Sequence, residues 1–176
     1  MRAYFVLSLI GEDRPGIVED VSSRIHQAEF NIEDSRMAVL GREFGLIMLA
    51  SGASDKLARA KASLAELESQ GFLVGLKETE APSPGPEGAA RVPYKVSVYG
   101  MDHEGIVHAF AEALARRAIN VETLETQSAA APLSGADLFS MEMTIAVPGD
   151  LTPADLRALV TRLGDEHGVD ATLSPA

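Results

Sequence analysis

Cysteine is absent from the 176 residues, which removes disulfides, thiolate nucleophiles and thiolate-bound metals at once. That absence fits a reducing compartment. Positive charge is also scarce, with 15 lysines and arginines against 26 acidic residues, a formal net charge of −11. The deficit is spread along the chain, about −4 up to Glu80 and about −7 beyond it. Such a surface repels phosphate backbones and anionic lipids, so neither nucleic acid nor a membrane surface is expected as a direct partner. No lysine- or arginine-rich run overrides that repulsion, and any role in gene control would pass through another protein. Long apolar runs are missing too. The first one, Tyr4 to Ile10, is broken by Gly11-Glu-Asp-Arg and lacks a small-residue cleavage site, which reads as a strand and not a signal peptide. No stretch is long enough to cross a bilayer. The expectation is a soluble, cytoplasmic protein.

Catalytic and metal-binding signatures are equally thin. Neither a Gly-x-Ser-x-Gly elbow nor a Ser-x-x-Lys pair in a suitable context occurs. Gly11-x4-Gly16 has the outline of a phosphate loop, but Ile17-Val18 stand where Lys-Ser/Thr would be needed. His103 and His108 lie five apart, poor spacing for one metal face, and His26 and His167 are remote in sequence. Most carboxylates, such as Glu66, Glu68, Asp165 and Glu166, fall on expected solvated helix faces. No catalytic residue, metal site or cofactor is expected.

What the chain does contain is a turn used twice. Gly11-Glu-Asp-Arg-Pro-Gly-Ile-Val18 returns as Gly100-Met-Asp-His-Glu-Gly-Ile-Val107, each after an apolar run. The same constant offset carries Val21 onto Phe110, Ile25 onto Leu114, Asn31 onto Asn120 and Glu33 onto Glu122. Register held across a whole helix marks a duplication. It slips at a hairpin, where the second copy inserts about six residues around Ala129–Gly135.

Each copy reads as β-α-β-β-α-β. Residues 4–10 alternate with both faces apolar, the pattern of a central strand. Asp13 offers an N-cap and Pro15 suits a first turn, so residues 14–29 are predicted helical, with Val18, Val21, Ser22, Ile25 and Ala28 at helical spacing. Residues 31–40 and 44–50 follow as a hairpin. A helix capped by Ser54 or Asp55 carries Leu57, Ala60, Leu64 and Leu67 to Gly71, and a last strand covers 72–76. In the second copy Thr152-Pro153 opens the last helix and 169–173 close the sheet. The fold class is therefore α+β: two ferredoxin-like domains, each an antiparallel sheet with two helices on one face. The expected boundaries are 1–78 and 93–176, joined by a Pro/Gly/Ala-rich linker over 79–92.

The copies differ on the sheet face away from the helices. In the second it is polar, with Lys95, Ser97, Tyr99, Ser140, Glu142 and Thr144; in the first it carries Val6, Ile10, Ile47 and Leu49. An uncovered face should not be so apolar, so the first domain's open face is expected to pack on another domain or chain. A homo-oligomer, a dimer in the simplest form, would satisfy this.

The repeated turn has ligand-binding chemistry. A helix start offers unpaired N–H groups and a positive dipole end. Gly11, Gly16, Gly100 and Gly105 allow close backbone approach. Asp13 and Asp102 can accept from an ammonium group, while Asn31 and Asn120 donate and accept. Together these suit a zwitterionic amino acid. The same residues also suit a plain tight turn with a cap, and Asn31 a helix-terminating residue.

The βαββαβ halves, the Gly11-x-Asp-Arg-Pro-Gly-Ile-Val turn and the Asn31-Ile pair resemble the ACT domain, a module that commonly binds amino acids. Two such domains over roughly 1–78 and 93–174 resemble the glycine cleavage system transcriptional repressor family. The resemblance implies contacts to an amino acid from the turn and the start of strand two, often across a domain interface. The implied positions are Gly11, Asp13, Arg14, Gly16 and Asn31, and Gly100, Asp102, Gly105 and Asn120. His103-Glu104 replaces Arg14-Pro15 in the second copy, so the first is the favoured site. The implied function is a non-enzymatic regulator that senses a small amino acid and acts through a protein partner, such as a transcription factor of glycine metabolism. A feedback subunit of an amino-acid biosynthetic enzyme is the alternative.

Overall fold

Phe5, Leu7 and Leu9 point into one face of their strand and are wholly buried, which fixes where the first core lies. The computed structural model describes residues 1–82, 91–132 and 135–176. The chain forms two compact units, Met1–Pro84 and Gly85–Ala176. Most of the expected linker, residues 83–90, lies outside the described residues.

In the first unit β1 (Arg2–Glu12), α1 (Ile17–Gln27), β2 (Phe30–Leu40), β3 (Glu43–Ala53), α2 (Leu57–Ala65) and β4 (Leu73–Thr79) follow in order. The sheet order is β2-β3-β1-β4 with every neighbouring pair antiparallel. β1, expected to be central, is central, with β3 beside it. Against them α1 lays Ile17, Val21 and Ile25, one residue per turn, and α2 lays Ala60 and Leu64. Burying each large apolar side chain is worth about 1.5–3 kcal/mol, so this one-sided stripe holds the helices to the sheet.

The second unit repeats the plan with β5 (Val92–Met101), α3 (Ile106–Ala115), β6 (Asn120–Ala130), β7 (Asp137–Val147), α4 (Pro153–His167) and β8 (Val169–Pro175). Its order is β6-β7-β5-β8. Val96, Val98, Phe110, Leu114, Met141 and Met143 fill its core. A bulge falls at the same place in both copies, between Ile32 and Asp34 and between Val121 and Thr123.

Local details differ from the sequence expectation. The first helix starts at Ile17, not near residue 14, and Asp13 does not cap it. Its N-cap is Gly16 in the left-handed region at φ 94°, with no side-chain hydrogen bond. The reason is that β1 runs on to Glu12, and the Asp13 N–H donates to the Arg42 carbonyl at 2.9 Å. Asp13 and Pro15 therefore belong to the approach to the helix. The inward stripe accordingly begins at Ile17, leaving Val18 exposed. Neither Ser54 nor Asp55 caps α2: residues 54–56 form a short 3₁₀ turn, and Lys56 precedes the helix without a side-chain cap. The tail to Gly71 is also 3₁₀, over Glu66–Gln70. Thr152 does cap α4, its hydroxyl accepting from the Asp155 N–H at 3.2 Å, with Pro153 opening the helix.

The open sheet faces contrast as their sequences do. In the first unit Val6 stands opposite Leu49, Ser8 opposite Ile47 and Ile10 opposite Leu73. Ile47 is 54% exposed and Leu73 74% exposed. In the second unit Lys95 pairs with Glu142 across the strands at 2.7 Å.

Candidate functional site

The first turn is built by cross-strand contacts. Gly11 is a strand residue, and a Cβ placed on it would lie 2.4 Å from the Phe72 ring. Gly100 is its counterpart, where a Cβ would meet Val169 at 2.7 Å. Both glycines are required by packing against the residue that follows the second helix of their domain. Gly16 and Gly105 serve a different need. Each sits at φ above 90° with open space around it, and each carbonyl accepts the first helical hydrogen bond, from Asp20 and Ala109, at 2.9 Å. Asp102 matches Asp13 in detail, its N–H donating to the Asp137 carbonyl at 2.9 Å.

The side chains between the glycines pin the turn to the far end of the helix pair. Arg14 donates to Gln70 Oε1 at 2.6 Å, and its guanidinium lies 5.4 Å from the Phe72 ring centre. In the second copy His103 does the same work with other chemistry. Its Nε2 lies 2.9 Å from the His167 carbonyl and its Nδ1 3.0 Å from the Glu104 carbonyl. These carbonyl contacts, that of His167 first, raise the His103 pKa above the usual histidine value. Asp102 accepts from Ser128 at 2.6 Å, and both it and Asp13 are exposed.

Asn31 is elsewhere. It pairs with Ser51, which pairs with Tyr4 near the start of β1. From Tyr4 to Gly11 is seven residues of strand, roughly 23 Å at about 3.3 Å per residue. Within one domain, then, the turn and the asparagine occupy opposite ends of the sheet. The same holds for Asn120, which pairs with Ala146, while Gly100 pairs with Phe139.

At its own end Asn31 joins a cluster that the sequence reading missed. Two residues along the strand, beside the bulge, Glu33 reaches the side of Asn31. Glu33 accepts from Arg2 at 2.8 Å, from Asn31 at 3.3 Å and from the Ser51 hydroxyl. Arg2 also donates twice to Ser51, at 2.7 and 3.0 Å. The Ser51 hydrogen bond, then that of Asn31, holds the Glu33 carboxyl below the usual glutamate range. A cavity of about 520 Å³ opens here, lined by Arg2, Glu29, Asn31 and Ser51 among others. The available signal was Ser51, a buried polar residue at the end of an apolar strand. In the second copy Ala146 holds the position opposite Asn120 that Ser51 holds opposite Asn31.

Among the described residues no three His, Asp or Glu side chains gather to hold a metal ion, and no helix is long and apolar enough to cross a membrane.

Two βαββαβ domains in one chain, each with this glycine-bracketed turn, define a tandem ACT-domain protein. The family model for the ACT domain matches residues 3–75. Over 175 residues, 95% of this chain and 89% of the relative, the chain is 30% identical to the glycine cleavage system transcriptional repressor of Escherichia coli (strain K12). The chain belongs to the glycine cleavage system transcriptional repressor family. A crystal structure of an unknown protein from Galdieria sulphuraria is 33% identical, with a TM-score of 0.85, covering 100% of this chain and 99% of that one. A crystal structure provisionally described as a glycine cleavage system transcriptional repressor is 27% identical, with a TM-score of 0.72 and coverage of 99% and 97%.

Proposed function

We propose that this protein is a cytoplasmic, non-enzymatic regulator that senses a small amino acid and passes the signal on by protein–protein contact. The observation that supports the sensing half is the polar cluster of Arg2, Asn31, Glu33 and Ser51 at a cavity of about 520 Å³ in an ACT domain. The separation of Asp13 and Asn31 to opposite ends of one sheet constrains how the turn can contribute. A ligand held by both residue types needs the turn of one chain to meet the strand-two opening of a second chain. Such a site exists only in an assembled arrangement, so ligand binding and assembly are linked: the ligand favours the arrangement that completes its site. The turn supplies N–H groups for the carboxylate and Asp13 for the ammonium group, and the far end supplies Asn31 and the Arg2–Ser51–Glu33 cluster. Gly11, Arg14 and Gly16 shape and pin the turn. Gly100, Asp102, Gly105 and Asn120 form the corresponding, weaker pair, since Ala146 replaces the serine of the cluster.

The output half rests on charge and on the apolar face. The net charge of −11 disfavours direct contact with DNA, so the action of a family named for transcriptional repression is assigned to a protein partner. The exposed Ile10, Ile47 and Leu73 give the first domain a face suited to another protein surface, including a second copy.

A thermal-shift screen of the twenty amino acids tests this, because a ligand of the folded state raises its melting temperature. At least one small amino acid should raise it, and both Asp13→Ala and Asn31→Ala should remove the rise despite their separation. The absence of a shift with every amino acid would overturn the sensing function. Co-purification with a biosynthetic enzyme instead of a transcription factor would overturn the transcriptional output.

A further inference from the structure

The two helix pairs, equivalent in fold, are filled differently. In the first domain Arg24 of α1 lies between the helices with only 18% of its side chain exposed. It donates to Asp20 at 2.7 Å, to the Ser63 carbonyl at 2.5 Å and to Glu66 at 2.9 Å. Gln70 adds a bond to Asp20 at 3.1 Å. The space between α1 and α2 is thus plugged by a satisfied polar network.

The offset that relates the copies puts Ala109 at the place of Asp20 and Ala113 at the place of Arg24. Both plug residues are gone. The result is a cleft of about 640 Å³ between α3 and α4, with Ala109, Ala113 and Leu163 as its floor. Together with Glu112, Glu166 and His167, Arg116, Arg117 and Arg162 stand around it, so that two carboxylates face three guanidinium groups. These are three of the six basic residues after residue 85, in the more acidic half of the chain.

Their partners leave them available. Arg116 pairs with Glu112 at 2.6 Å and Arg162 with Glu166 at 3.7 Å, both exposed pairs one helical turn apart. Pairs of this kind contribute little and are screened by solvent. An incoming anion competes with Glu112 and Glu166 for these two arginines, while Arg117 is the one with no carboxylate to displace among the described residues. Arg117 donates only to the Ala113 carbonyl, at 3.1 Å, and among the described residues no carboxylate pairs with it. Guanidinium groups present paired N–H donors that match carboxylate and phosphate oxygens in a bidentate way. The volume falls within the roughly 300–1,000 Å³ of small-molecule sites.

We propose that the α3–α4 cleft of the second domain binds a small, multiply charged oxyanion, a phosphate ester or a polycarboxylate. This effector site shares no residue with the amino-acid site assigned to the turns, although His103 of the second turn bonds to the carbonyl of His167 in the cleft lining. Its occupancy does not depend on that reading. The floor alanines give the ligand room, and the three arginines provide the charge.

Calorimetric titration of the full chain with inorganic pyrophosphate and, separately, citrate tests the proposal at constant ionic strength. At least one should bind saturably, and which one does separates phosphate from carboxylate chemistry. Arg117→Gln should weaken that binding about tenfold or more. The double variant Ala109→Asp/Ala113→Arg rebuilds the plug of the first domain without changing net charge, and should abolish binding. Asp13→Ala should leave it unchanged. Circular dichroism establishes that each variant is folded. If the double variant does not fold, the exposed Arg117→Gln decides alone. Unsaturable binding of both anions up to about 10 mM overturns the proposal. So does a folded double variant, or an Arg117→Gln protein, that binds as the wild type does.

Discussion

The Phe72 ring occupies the space that a side chain on Gly11 would need, 2.4 Å from where its Cβ would stand. The first glycine of the repeated turn is thus fixed by the end of its own domain, before any ligand is considered.

Gly11→Ala should therefore destabilise the first domain by about 1–3 kcal/mol, the usual cost of overpacking. Phe72 is a stiff, buried aromatic that cannot swing aside. Urea denaturation of Gly11→Ala, Phe72→Leu and the double variant checks the cause: the double variant should lose less stability than the two single losses combined. Simple additivity of the two would rule out the clash.

Backbone conformation predicts effects of opposite sign at two other positions. Gly16 holds φ 94°, where a Cβ is disfavoured although nothing crowds it. Ala118 holds φ 55° with a Cβ already present. Gly16→Ala should cost about 1–2 kcal/mol, and Ala118→Gly should cost nothing or stabilise slightly. Chemical denaturation midpoints read both directly.

Arg24→Met keeps the apolar stem between α1 and α2 but removes the hydrogen bonds to Asp20 and the Ser63 carbonyl. A loss of about 1–2 kcal/mol is expected near neutral pH. Burial raises the Asp20 pKa, but the hydrogen bonds from Arg24 and Gln70 outweigh it and leave the carboxyl below the usual aspartate value. This contribution is present above the unfolded aspartate pKa of about 3.9 and disappears as pH falls through the depressed folded value. The gap in melting temperature between wild type and Arg24→Met should accordingly narrow in acid.

The second turn should respond to pH in the opposite sense. A neutral imidazole carries one N–H, so His103 can serve both the His167 and Glu104 carbonyls only when protonated. Its folded pKa is raised, so its stabilisation is full below the unfolded value of about 6.5 and is lost as pH rises through the folded value. Proton NMR titration should place the His103 transition above that of a free histidine. His103→Gln should flatten the corresponding part of the melting profile. An unshifted titration would remove the two-carbonyl clasp.

Much of the fold could be read from residue spacing. Alternation around Phe5, Leu7 and Leu9 located the central strand, and the recurrence of Gly-x-Asp-x-x-Gly-Ile-Val located the second domain. The start of α1 was not legible, because Asp13 is a good cap by type and only the register with Arg42 keeps it in extended backbone. Cross-strand register also hid the site. Asn31 is expected at the opening of the second strand, a whole helix beyond the turn, but only its pairing with Ser51 shows that it lies beside Arg2 at the other end of the sheet. The Arg24 plug was invisible for a related reason: an arginine on a helix looks solvated until the facing helix supplies Ser63 and Glu66.

That plug has a bearing on symmetry. A single-domain ancestor pairing with itself would carry every groove twice, because a two-fold axis copies each surface onto its mate. Two copies in one chain are free to differ, and here Asp20 and Arg24 stand in one where Ala109 and Ala113 stand in the other. The stoichiometry is set by that divergence: the cleft between α3 and α4 should saturate at one anion per chain, however many chains assemble.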